Sequence, residues 1–426
     1  MSILKIGSSN PKLSFILSKN PATIRNSLEP FTRDLRKGKL YGWFSKADDS
    51  EFKLLFKDSD TEVSFVSFGE WEYLDKTRYS SPYLPIAMCT TALASALKHE
   101  SEFDTPEFTS YIETIIKVSN EKMASACVRH FVDTISIQTE RLSGQMHTLR
   151  IEANSVQKVL NVMVVFCLIQ AMYDKECYID MNASAIEFFI RSLNRINAPY
   201  FIRYLFNRTV FLDKNTFHKY KDSLQMVGTD MNYGDTRRHR FDAVSEYLRG
   251  GDRMLLDIGC GELFFTKRLV RKYEYVTAFD ADAGIAEAGL GKLKSWKIEN
   301  ANVQAAEVTA RYVEDNPLMF EGADVLLTEV IEHMELDQAM SLLNALLKTN
   351  FNQIVVTVPN KDFNINYNIP DSGSRHSDHK WELGITELSE ILTQHGILPN
   401  HLHGIGDSVG GIHSSILFNF KKEVTV

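Results

Sequence analysis

The stretch RMLLDIGCGELFFTKRLV, residues 253–270, has the pattern of a buried strand, a glycine turn and a helix. At the turn, Asp257, Gly259 and Gly261 follow the apolar run, and the two glycines allow positive φ and a close approach of the backbone to a ligand. The runs YEYVTAFD, ADVLLT and NQIVVTVPN are also strand-like, and the first two lead directly into helical patterns. This alternation predicts an α/β domain with a doubly wound parallel sheet, whose ligands bind at the carboxyl ends of the strands.

The ligand of this domain is indicated by the segment TAFDAD, which puts Asp280 at the end of the next strand. A carboxylate there can accept hydrogen bonds from both ribose hydroxyls of a cofactor. A dinucleotide-binding fold would have the pattern G-x-G-x-x-G, and GCGELFF lacks the third glycine. D-x-G-x-G followed by an acidic strand end resembles the class I (Rossmann-like) methyltransferases that use S-adenosylmethionine. The alternatives are a nucleotide-binding fold of another class and a degenerate fold that no longer binds a cofactor.

Contacts with the adenine of the cofactor are expected after the third strand, in AAEVTARYVED at residues 305–315. This segment follows the acidic strand end by one further strand, and Glu307 and Val308 lie at its start. The predicted cofactor-binding residues are therefore Asp257, Gly259, Gly261, Asp280, Glu307 and Val308.

The length of 426 residues exceeds one ordinary hydrophobic core and favours two or three domains. In the amino-terminal part, KLYGWFS, FKLLFKD and EVSFVSF are strand-like, whereas the periodicity from about 105 to 225 is mostly helical. VMVVFCLI, residues 162–169, is predicted to lie in a buried core helix. VGTDMNYGDT is polar and contains glycine, as linkers do. We expect a mixed α+β amino-terminal domain at 1–226, a linker at 227–235 and the methyltransferase domain at 236–426.

The composition is that of an ordinary globular protein, with 44% hydrophobic and 24% charged residues. The five cysteines are scattered without a C-x-x-C pair, which argues for a reducing compartment and against a disulfide framework or a structural zinc site. The start, MSILKIGSSNPKL, lacks the features of a secretory signal peptide, and the longest apolar run is shorter than the ~20 residues of a membrane helix. We expect a cytoplasmic protein with no membrane partner. The net charge of −8 gives no overall attraction to nucleic acid, so such a contact has to be local.

An unusual set of polar side chains ends the run VLLTEVIEHME, residues 325–335. If Thr328 caps a helix, Glu329, Glu332 and His333 stand at i, i+3 and i+4 and share one helical face. Two carboxylates held that close raise each other's pKa unless a cation lies between them. The spacing therefore suits a divalent metal. The alternative is a solvated helix start, where acidic residues favour the positive end of the helix dipole.

Further along, DSGSRHSDHKWE, residues 371–382, has the composition of a mobile substrate loop. Taken together, E-x-x-E-H, P-N-x-x-F-N and R-H-x-D-H-K-W-E resemble the 3′-terminal RNA ribose 2′-O-methyltransferases, which modify small RNAs in plants and animals and repaired RNAs in bacteria. E-x-x-E-H alone also occurs in small-molecule O-methyltransferases, and the R-H-x-D-H-K-W-E block separates the two. KLSFILSKNP and VSFGEWEYLDKTRYSSPYLPIAMCTTALASAL resemble the amino-terminal region of the bacterial members, which docks with a polynucleotide kinase–phosphatase–ligase.

This resemblance implies an RNA-repair enzyme that acts on RNA 3′ ends. The implied metal ligands are Glu329, Glu332, His333 and His379, and the implied catalytic residues are these four together with His376. The implied RNA-binding residues are Arg240, Arg375, His376 and Lys380. For His376, the alternatives are a base for the 2′-hydroxyl, a donor to a phosphate, and simple packing of the loop. Two imidazoles among the ligands favour Mn²⁺, with Mg²⁺ or Co²⁺ as alternatives.

Arg240 belongs to a basic cluster, TRRHRF, whose alternative interpretation is a solvated helix face beside acidic neighbours. The chain departs from the family pattern where Leu263 replaces the third glycine of G-C-G-E-G and where Leu383, Gly384 and Ile385 replace W-T-R. The residues that precede the histidine block are also unusually polar. Two other functions remain open at the level of sequence: a small-molecule O-methyltransferase fused to a helical domain, and a scaffold that stimulates an RNA ligase.

Overall fold

The computed structural model describes residues 2–24, 29–35, 38–45, 48–58, 81–131, 135–175, 177, 179–369 and 373–422. The chain divides into two compact units, Met1–Leu224 and Gln225–Val426. The strand-like run EVSFVSF and the segment VSFGEWEYLDKTRYS lie outside the described residues.

In the first unit, seven strands of the described residues form one antiparallel sheet in the order β2-β3-β4-β1-β5-β7-β6. The strands are β1 (Ser2–Ser8), β2 (Phe31–Leu35), β3 (Gly38–Phe44), β4 (Glu51–Asp58), β5 (Ser110–Lys117), β6 (Ile135–Ser143) and β7 (Met146–Ala153). The helices of this unit are α1 (Leu13–Ile16), α2 (Pro21–Ile24), α3 (Tyr83–Ala92), α4 (Ala94–Lys98), α5 (Glu121–His130), α6 (Val156–Met172), α7 (Ala183–Arg195), α8 (Tyr200–Val210) and α9 (Lys214–Leu224).

Helix α6 is the centre of the first unit. It contains the apolar run at 162–169, and nearly all of its side chains are buried, which confirms the predicted core helix. The side chain of its cap, Ser155, accepts a hydrogen bond from the Lys158 N–H, as expected where a helix begins. In the part of the chain that the structure describes, no helix is both long and apolar enough to cross a membrane.

The mostly helical interpretation of residues 105–225 is wrong for β5, β6 and β7. In β5, Ser110, Ile112, Thr114 and Ile116 are buried and the residues between them are more exposed. This period of two, rich in β-branched side chains, is typical of a strand with one face on the core.

In the second unit, eight strands of the described part form one sheet in the order β11-β10-β9-β12-β13-β15-β14-β8. They are β8 (Thr229–Asp230), β9 (Gly251–Ile258), β10 (Tyr273–Asp280), β11 (Ala301–Ala305), β12 (Asp324–Thr328), β13 (Gln353–Pro359), β14 (His401–Val409) and β15 (Ile412–Lys421). The five strands from β11 to β13 are parallel, and β15, β14 and β8 continue the sheet in antiparallel pairs. This is the class I methyltransferase fold that the sequence predicts.

Helices cover both faces of this sheet. They are α10 (Thr236–Tyr247), α11 (Phe264–Leu269), α12 (Ala283–Ser295), α13 (Ala310–Asp315), α14 (Leu336–Lys348) and α15 (Ile385–Gln394), with 3₁₀ turns at Val270–Lys272, Pro317–Phe320, Ile331–His333 and Lys361–Tyr367. In β12, Val325 and Leu327 pack into one hydrophobic core and Leu326 into another. Burial on both faces explains why β12 and β13 are apolar throughout, and it brings their polar carboxyl ends to one edge.

The expected linker at 227–235 is wrong, because this segment belongs to the second unit. Thr229 and Asp230 form β8 and pair with Val409 and Ser408 of β14. The Asn232 N–H also donates to Asp407 Oδ1 at 2.6 Å. An edge strand offers unpaired backbone donors and acceptors, so even a polar segment that contains glycine can extend the sheet.

Candidate metal centre and cofactor site

Strand β9 ends in a loop with two glycines in the left-handed region. Gly259 has φ 71° and Gly261 has φ 49°. A Cβ on Gly259 would lie 2.4 Å from Val330 Cγ2, so no larger residue fits without displacing the chain. The Gly261 N–H donates to Asp280 Oδ2 at 2.9 Å, which joins this loop directly to the end of β10.

The two aspartates of this edge have different environments. Asp280 is half-buried, and its Oδ1 accepts a hydrogen bond from the Asp282 N–H at 3.0 Å, so its carboxylate is held in place and keeps lone pairs for a ligand. Asp257 is fully buried, and its Oδ2 accepts from Thr266 Oγ1 at 2.5 Å. Burial raises the pKa of Asp257 to about 6, although the Thr266 hydrogen bond opposes this rise. Asp257 therefore fastens the loop to α11, whereas Asp280 can receive ribose hydroxyls.

The family's third glycine is replaced by a leucine that keeps the backbone conformation of glycine. Leu263 has φ 62° and ψ 32°, immediately before α11. Its side chain is fully buried against Cys260, Leu293 and Val303. The substitution therefore adds apolar packing at the cost of a left-handed non-glycine residue, roughly 1–2 kcal/mol.

The segment predicted to contact the adenine is tied to the end of β10 through Ala306, whose N–H donates to the Asp280 carbonyl at 2.9 Å. Glu307 is exposed beside this point. Val308 is 3% exposed, and its side chain packs into a hydrophobic core. Of the two predicted residues, only Glu307 thus presents its side chain at the surface.

The expectation that a helix begins at Glu329 is wrong. Thr328 is the last residue of β12, Glu329 has φ 55°, and a 3₁₀ turn follows before α14 begins at Leu336. The Glu329 N–H donates to the Thr357 carbonyl at 2.9 Å, so pairing with β13 continues past the end of the strand. Because Glu329 is in the left-handed region, the chain leaves β12 through a tight turn and not a helix, and this turn brings the polar side chains together.

Three of the four implied metal ligands come together beside this turn, which supplies Glu332 and His333, while His379 comes from the later loop. One ligand atom from each of Glu332, His333 and His379 lies within 4.8 Å of the other two. Glu332 is 0% exposed, and neither of its carboxylate oxygens has a hydrogen-bond partner among the described residues. Burial and the nearby charge of Glu329 raise the pKa of Glu332 well above its ordinary value. A buried, unpartnered carboxylate beside two imidazoles is a donor set that a divalent cation would satisfy.

Glu329 lies apart from this cluster of three. Its Oε2 is 3.2 Å from Arg240 Nη2, and its Oε1 accepts from Thr357 Oγ1 at 3.5 Å. Arg240 is mostly buried, and its Nε has no hydrogen-bond partner in the described part of the chain. Arg240, which was expected to bind RNA, therefore neutralises Glu329, the fourth expected metal ligand.

A carboxylate that the sequence analysis missed orients His379. Glu382 Oε1 lies 2.5 Å from His379 Nδ1, and both side chains are almost completely buried. Glu382 also accepts from Asn364 Nδ2 at 2.6 Å and from the Arg375 N–H at 2.7 Å. With Nδ1 engaged, the Nε2 of His379 is the nitrogen left for a metal. The glutamate three residues after the histidine was the available signal.

The other loop residues with implied roles occupy different positions. The Arg375 guanidinium donates to Asn364 Oδ1 and to the Asn360 carbonyl, each at 2.6 Å, so it holds the loop in place. His376 is exposed, and its ring centroid is 5.3 Å from that of His379. The exposed Lys380 donates its backbone N–H to the Glu332 carbonyl at 2.8 Å, which leaves its ammonium group at the surface.

His333 has its own carboxylate neighbour in this loop. Its Nδ1 lies 3.2 Å from Asp378 Oδ2, and its ring centroid is 4.8 Å from that of His379 in an edge-on arrangement. Burial lowers the pKa of His333, which favours the neutral imidazole that binds metals.

The basic cluster TRRHRF divides into two kinds of residue. Arg237 Nη1 lies 3.6 Å from Glu262, and Arg238 Nε lies 3.2 Å from Asp242. These two arginines match the interpretation as a helix face beside acidic neighbours. Arg240 instead forms an ion pair with Glu329 at the end of β12.

The departure at Leu383–Ile385 is explained by close packing at the start of α15. A Cβ on Gly384 would lie 2.4 Å from Asp362 Oδ2. The Gly384 N–H donates to Glu387 Oε2 at 3.0 Å, and the Leu383 carbonyl accepts from the Lys361 N–H at 3.2 Å. Glycine is therefore the residue that lets these two segments meet.

The sequence of the chain is similar to one family model and to two curated relatives. The sequence model of the Hen1 N-terminal domain matches residues 3–228. Over 218 residues the chain is 24% identical to a small RNA 2′-O-methyltransferase of Caenorhabditis elegans, covering 42% of this chain and 49% of that protein. Over 194 residues it is 24% identical to a small RNA 2′-O-methyltransferase of Tetrahymena thermophila, covering 40% and 45%. The chain thus spans about half the length of these relatives.

The fold similarity covers almost the whole chain. A chain in a structure of the Pnkp1/Rnl/Hen1 RNA repair complex superposes with a TM-score of 0.77 at 22% identity, covering 99% of this chain and 100% of the other. A second structure of the Pnkp1/Rnl/Hen1 complex gives a TM-score of 0.73 at 23% identity, with the same coverage. Because the match to the Hen1 N-terminal domain spans more than half of its 426 residues, this protein belongs to the Hen1 family.

Proposed function

We propose that this protein transfers the methyl group of S-adenosylmethionine to the 2′-oxygen of the 3′-terminal ribose of RNA, in a metal-dependent step of RNA repair. The observation that carries the proposal is Glu332, a fully buried carboxylate without a partner that lies beside His333 and His379. The cofactor loop ends at the same edge of the sheet. Membership of the Hen1 family and the names of the two curated relatives support RNA as the substrate.

The side chains of the metal centre fit a divalent cation. Glu332, His333 and His379 would hold it together, with Glu329 as the fourth ligand once its ion pair with Arg240 opens. Two imidazoles favour Mn²⁺ over Mg²⁺, which prefers an octahedron of oxygen atoms. When bound, the metal would orient the terminal ribose hydroxyls and lower the proton affinity of the attacking 2′-oxygen.

The residues around the centre divide the remaining tasks. Asp280 would accept hydrogen bonds from the ribose of the cofactor, and the loop at Gly259 would let the sulfonium approach the edge. Glu382 holds the ring of His379 in one orientation and one tautomer. His376, exposed beside that ring, would accept the 2′-hydroxyl proton or bind the terminal phosphate. Arg240 and Lys380 would contact phosphates of the RNA.

The partner proposed for this protein is a polynucleotide kinase–phosphatase–ligase. The fold similarity to a chain of the Pnkp1/Rnl/Hen1 RNA repair complex extends over the whole length of both chains, including the first unit. Such a partner would produce the RNA end that this protein then methylates.

The test uses labelled S-adenosylmethionine, Mn²⁺ and three short RNAs that differ only in the last sugar: ribose, 2′-deoxyribose and 3′-deoxyribose. We expect transfer to the ribose end alone, loss of transfer with a chelator, and recovery when Mn²⁺ is added back. Glu332→Gln should bind the cofactor and transfer no methyl group. Equal transfer to all three ends, or transfer that persists in the chelator, would contradict the proposal.

A further inference from the structure

A strongly basic surface lies on the second unit outside the metal centre. The segments TKRLVRK and GKLKSWK contain seven basic and no acidic residues: Lys267, Arg268, Arg271, Lys272, Lys292, Lys294 and Lys297. All of these except Lys292 are exposed. The two segments meet where Lys267 Nζ lies 3.9 Å above the ring of Trp296. We call these seven residues and Trp296 the Trp296 surface.

The cations of the Trp296 surface are not neutralised by the protein. Among the residues that the structure describes, no carboxylate lies within ion-pair distance of any of the seven. Arg237 and Arg238 on the neighbouring helix α10 show the opposite arrangement, since each is paired with an acidic side chain. On a chain of net charge −8, this local excess of positive charge favours a polyanionic ligand.

The distance between the Trp296 surface and the metal centre sets a minimum length for a ligand that contacts both. Arg271 and Lys272 directly precede β10, and Lys297 lies just before β11, so they mark the amino-terminal edge of the parallel strands. The metal centre lies at the carboxyl edge. A strand of eight residues such as β10 is roughly 25 Å long. A mononucleotide cannot span that length, whereas an RNA strand of several nucleotides can.

We propose that the Trp296 surface binds the phosphates of the RNA upstream of its 3′ end, as a second RNA contact outside the active site. The inference rests on the proposed function, because the RNA that would enter the metal centre is a polyanion long enough to reach this surface. Exposed lysines and arginines bind phosphate oxygens, and these contacts do not depend on the base sequence. The surface therefore adds affinity for long RNA, and it leaves the choice of the terminal sugar to the metal centre.

The experiment compares two triple variants of the full-length protein. Lys267→Gln/Arg271→Gln/Lys294→Gln removes three charges from the Trp296 surface. Arg311→Gln/Lys348→Gln/Lys421→Gln removes three exposed charges from other parts of the same unit. Fluorescence anisotropy with a long single-stranded RNA is recorded over a salt series, and methylation is measured on a trinucleotide. Thermal unfolding checks that both variants are folded.

We expect the surface variant to bind the long RNA at least tenfold more weakly than the control variant. Its slope of log K against log salt should fall in magnitude by about 2, since each lost phosphate contact removes roughly 0.7. Both variants should methylate the trinucleotide at the wild-type rate. Equal affinity and equal salt slopes for the two variants would overturn the inference, as would a loss of binding confined to anionic lipid vesicles or acidic polypeptides.

Failure of the proposed function gives a different result. In that case the wild-type protein transfers no methyl group to either RNA, while the anisotropy comparison still decides whether the Trp296 surface binds an RNA strand.

Discussion

The glycine loop at 257–263 and the Glu-Glu-His turn at 329–333 both follow buried parallel strands at one edge of the same sheet, but their carboxylates differ. In the loop, the protein supplies partners: Thr266 donates to Asp257, and the Gly261 N–H donates to Asp280. In the turn, both oxygens of Glu332 lack a partner among the described residues. Of the four carboxylate oxygens of Asp257 and Asp280, only Asp257 Oδ1 is buried without a partner among the described residues, and the half-buried Asp280 suits an uncharged sugar. The turn holds a buried carboxyl whose ionisation burial opposes, and a cation beside it would stabilise the charged form.

The four carboxylates of the site also fall into two kinds: two hold other protein groups in place, and two are available to a ligand. Asp257 and Glu382 are buried carboxylates that hold other groups of the site in place, namely the helix-start hydroxyl of Thr266 and the ring of His379. Asp280 and Glu332 are the carboxylates that remain for a ligand. The predictions below test this division, beginning with the largest expected effect.

Removing the charge of Glu332 should break the metal centre and leave the glycine loop intact. For Glu332→Gln we expect methyl transfer to fall roughly 1,000-fold or more, since a bound metal contributes several kcal/mol to the transition state. Mn²⁺ binding, measured by calorimetry, should be lost, whereas cofactor binding should be unchanged. The metal-free variant should melt about 2–4 °C higher, because the carboxyl whose ionisation burial opposes is gone.

The exposed Glu321→Gln is the matched control for this change and should resemble the wild type in all three measurements. If Glu332→Gln bound Mn²⁺ as tightly as the wild type does, Glu332 would not be a metal ligand, and the contrast between the turn and the loop would fail.

Asp257 should make the stability of the ligand-free protein depend on pH. Its pKa is about 6 in the folded protein and about 3.9 when unfolded, so between these values the folded state binds the extra proton. Stability from Asp257 is therefore greatest below about pH 4 and falls as the pH rises to about 6, by roughly 3 kcal/mol in total. Denaturant unfolding at a series of pH values measures the slope of the unfolding free energy against pH.

Asp257→Asn should flatten that slope, since the amide does not titrate in this range. Asp252→Asn, at an exposed position of the same strand, should leave the slope as it is in the wild type. The same slope in both variants would show that Asp257 is not the titrating group.

Weakening the support of His379 should reduce metal affinity without removing a ligand. For Glu382→Gln we expect Mn²⁺ to bind 10–100-fold more weakly, in the usual range for a carboxylate that orients a metal-binding histidine. Cofactor affinity should stay the same. Calorimetric titration with Mn²⁺ decides the point, with the exposed Glu390→Gln as the control. A purely structural role would instead lower the melting temperature and leave Mn²⁺ affinity unchanged.

The smallest effect is expected from a substitution at the glycine loop. Asp280→Asn keeps one oxygen for the Gly261 N–H and loses the charge that strengthens hydrogen bonds to ribose hydroxyls. We expect the cofactor to bind about tenfold more weakly, with Mn²⁺ affinity unaffected. This result mirrors that of Glu332→Gln, so the two variants together show whether the cofactor and metal sites are independent. A parallel loss of Mn²⁺ binding in Asp280→Asn would show that they are coupled.

Much of the second unit could be predicted from its sequence. Apolar runs that end in Asp257, Asp280 and Thr328 predicted strands with their polar ends at one edge, and the structure has them there. The first unit was harder, because β5 lies in a stretch without glycine whose alternation of apolar and polar residues is short. The linker prediction failed because strand pairing is a backbone property, to which the side chains of Thr229 and Asp230 give no clue.

By itself, the sequence determined the fold class and the strand ends that carry the candidate site, because periodicity and spacing reflect the burial of each segment on its own; it also predicted the residue types of a metal centre. Only the tertiary structure decided how those residues are partnered. It placed Arg240 against Glu329, supported His379 with Glu382, and left Glu332 buried without a partner. These pairings join segments far apart in the chain, and their energies depend on burial and distance, which only packing fixes.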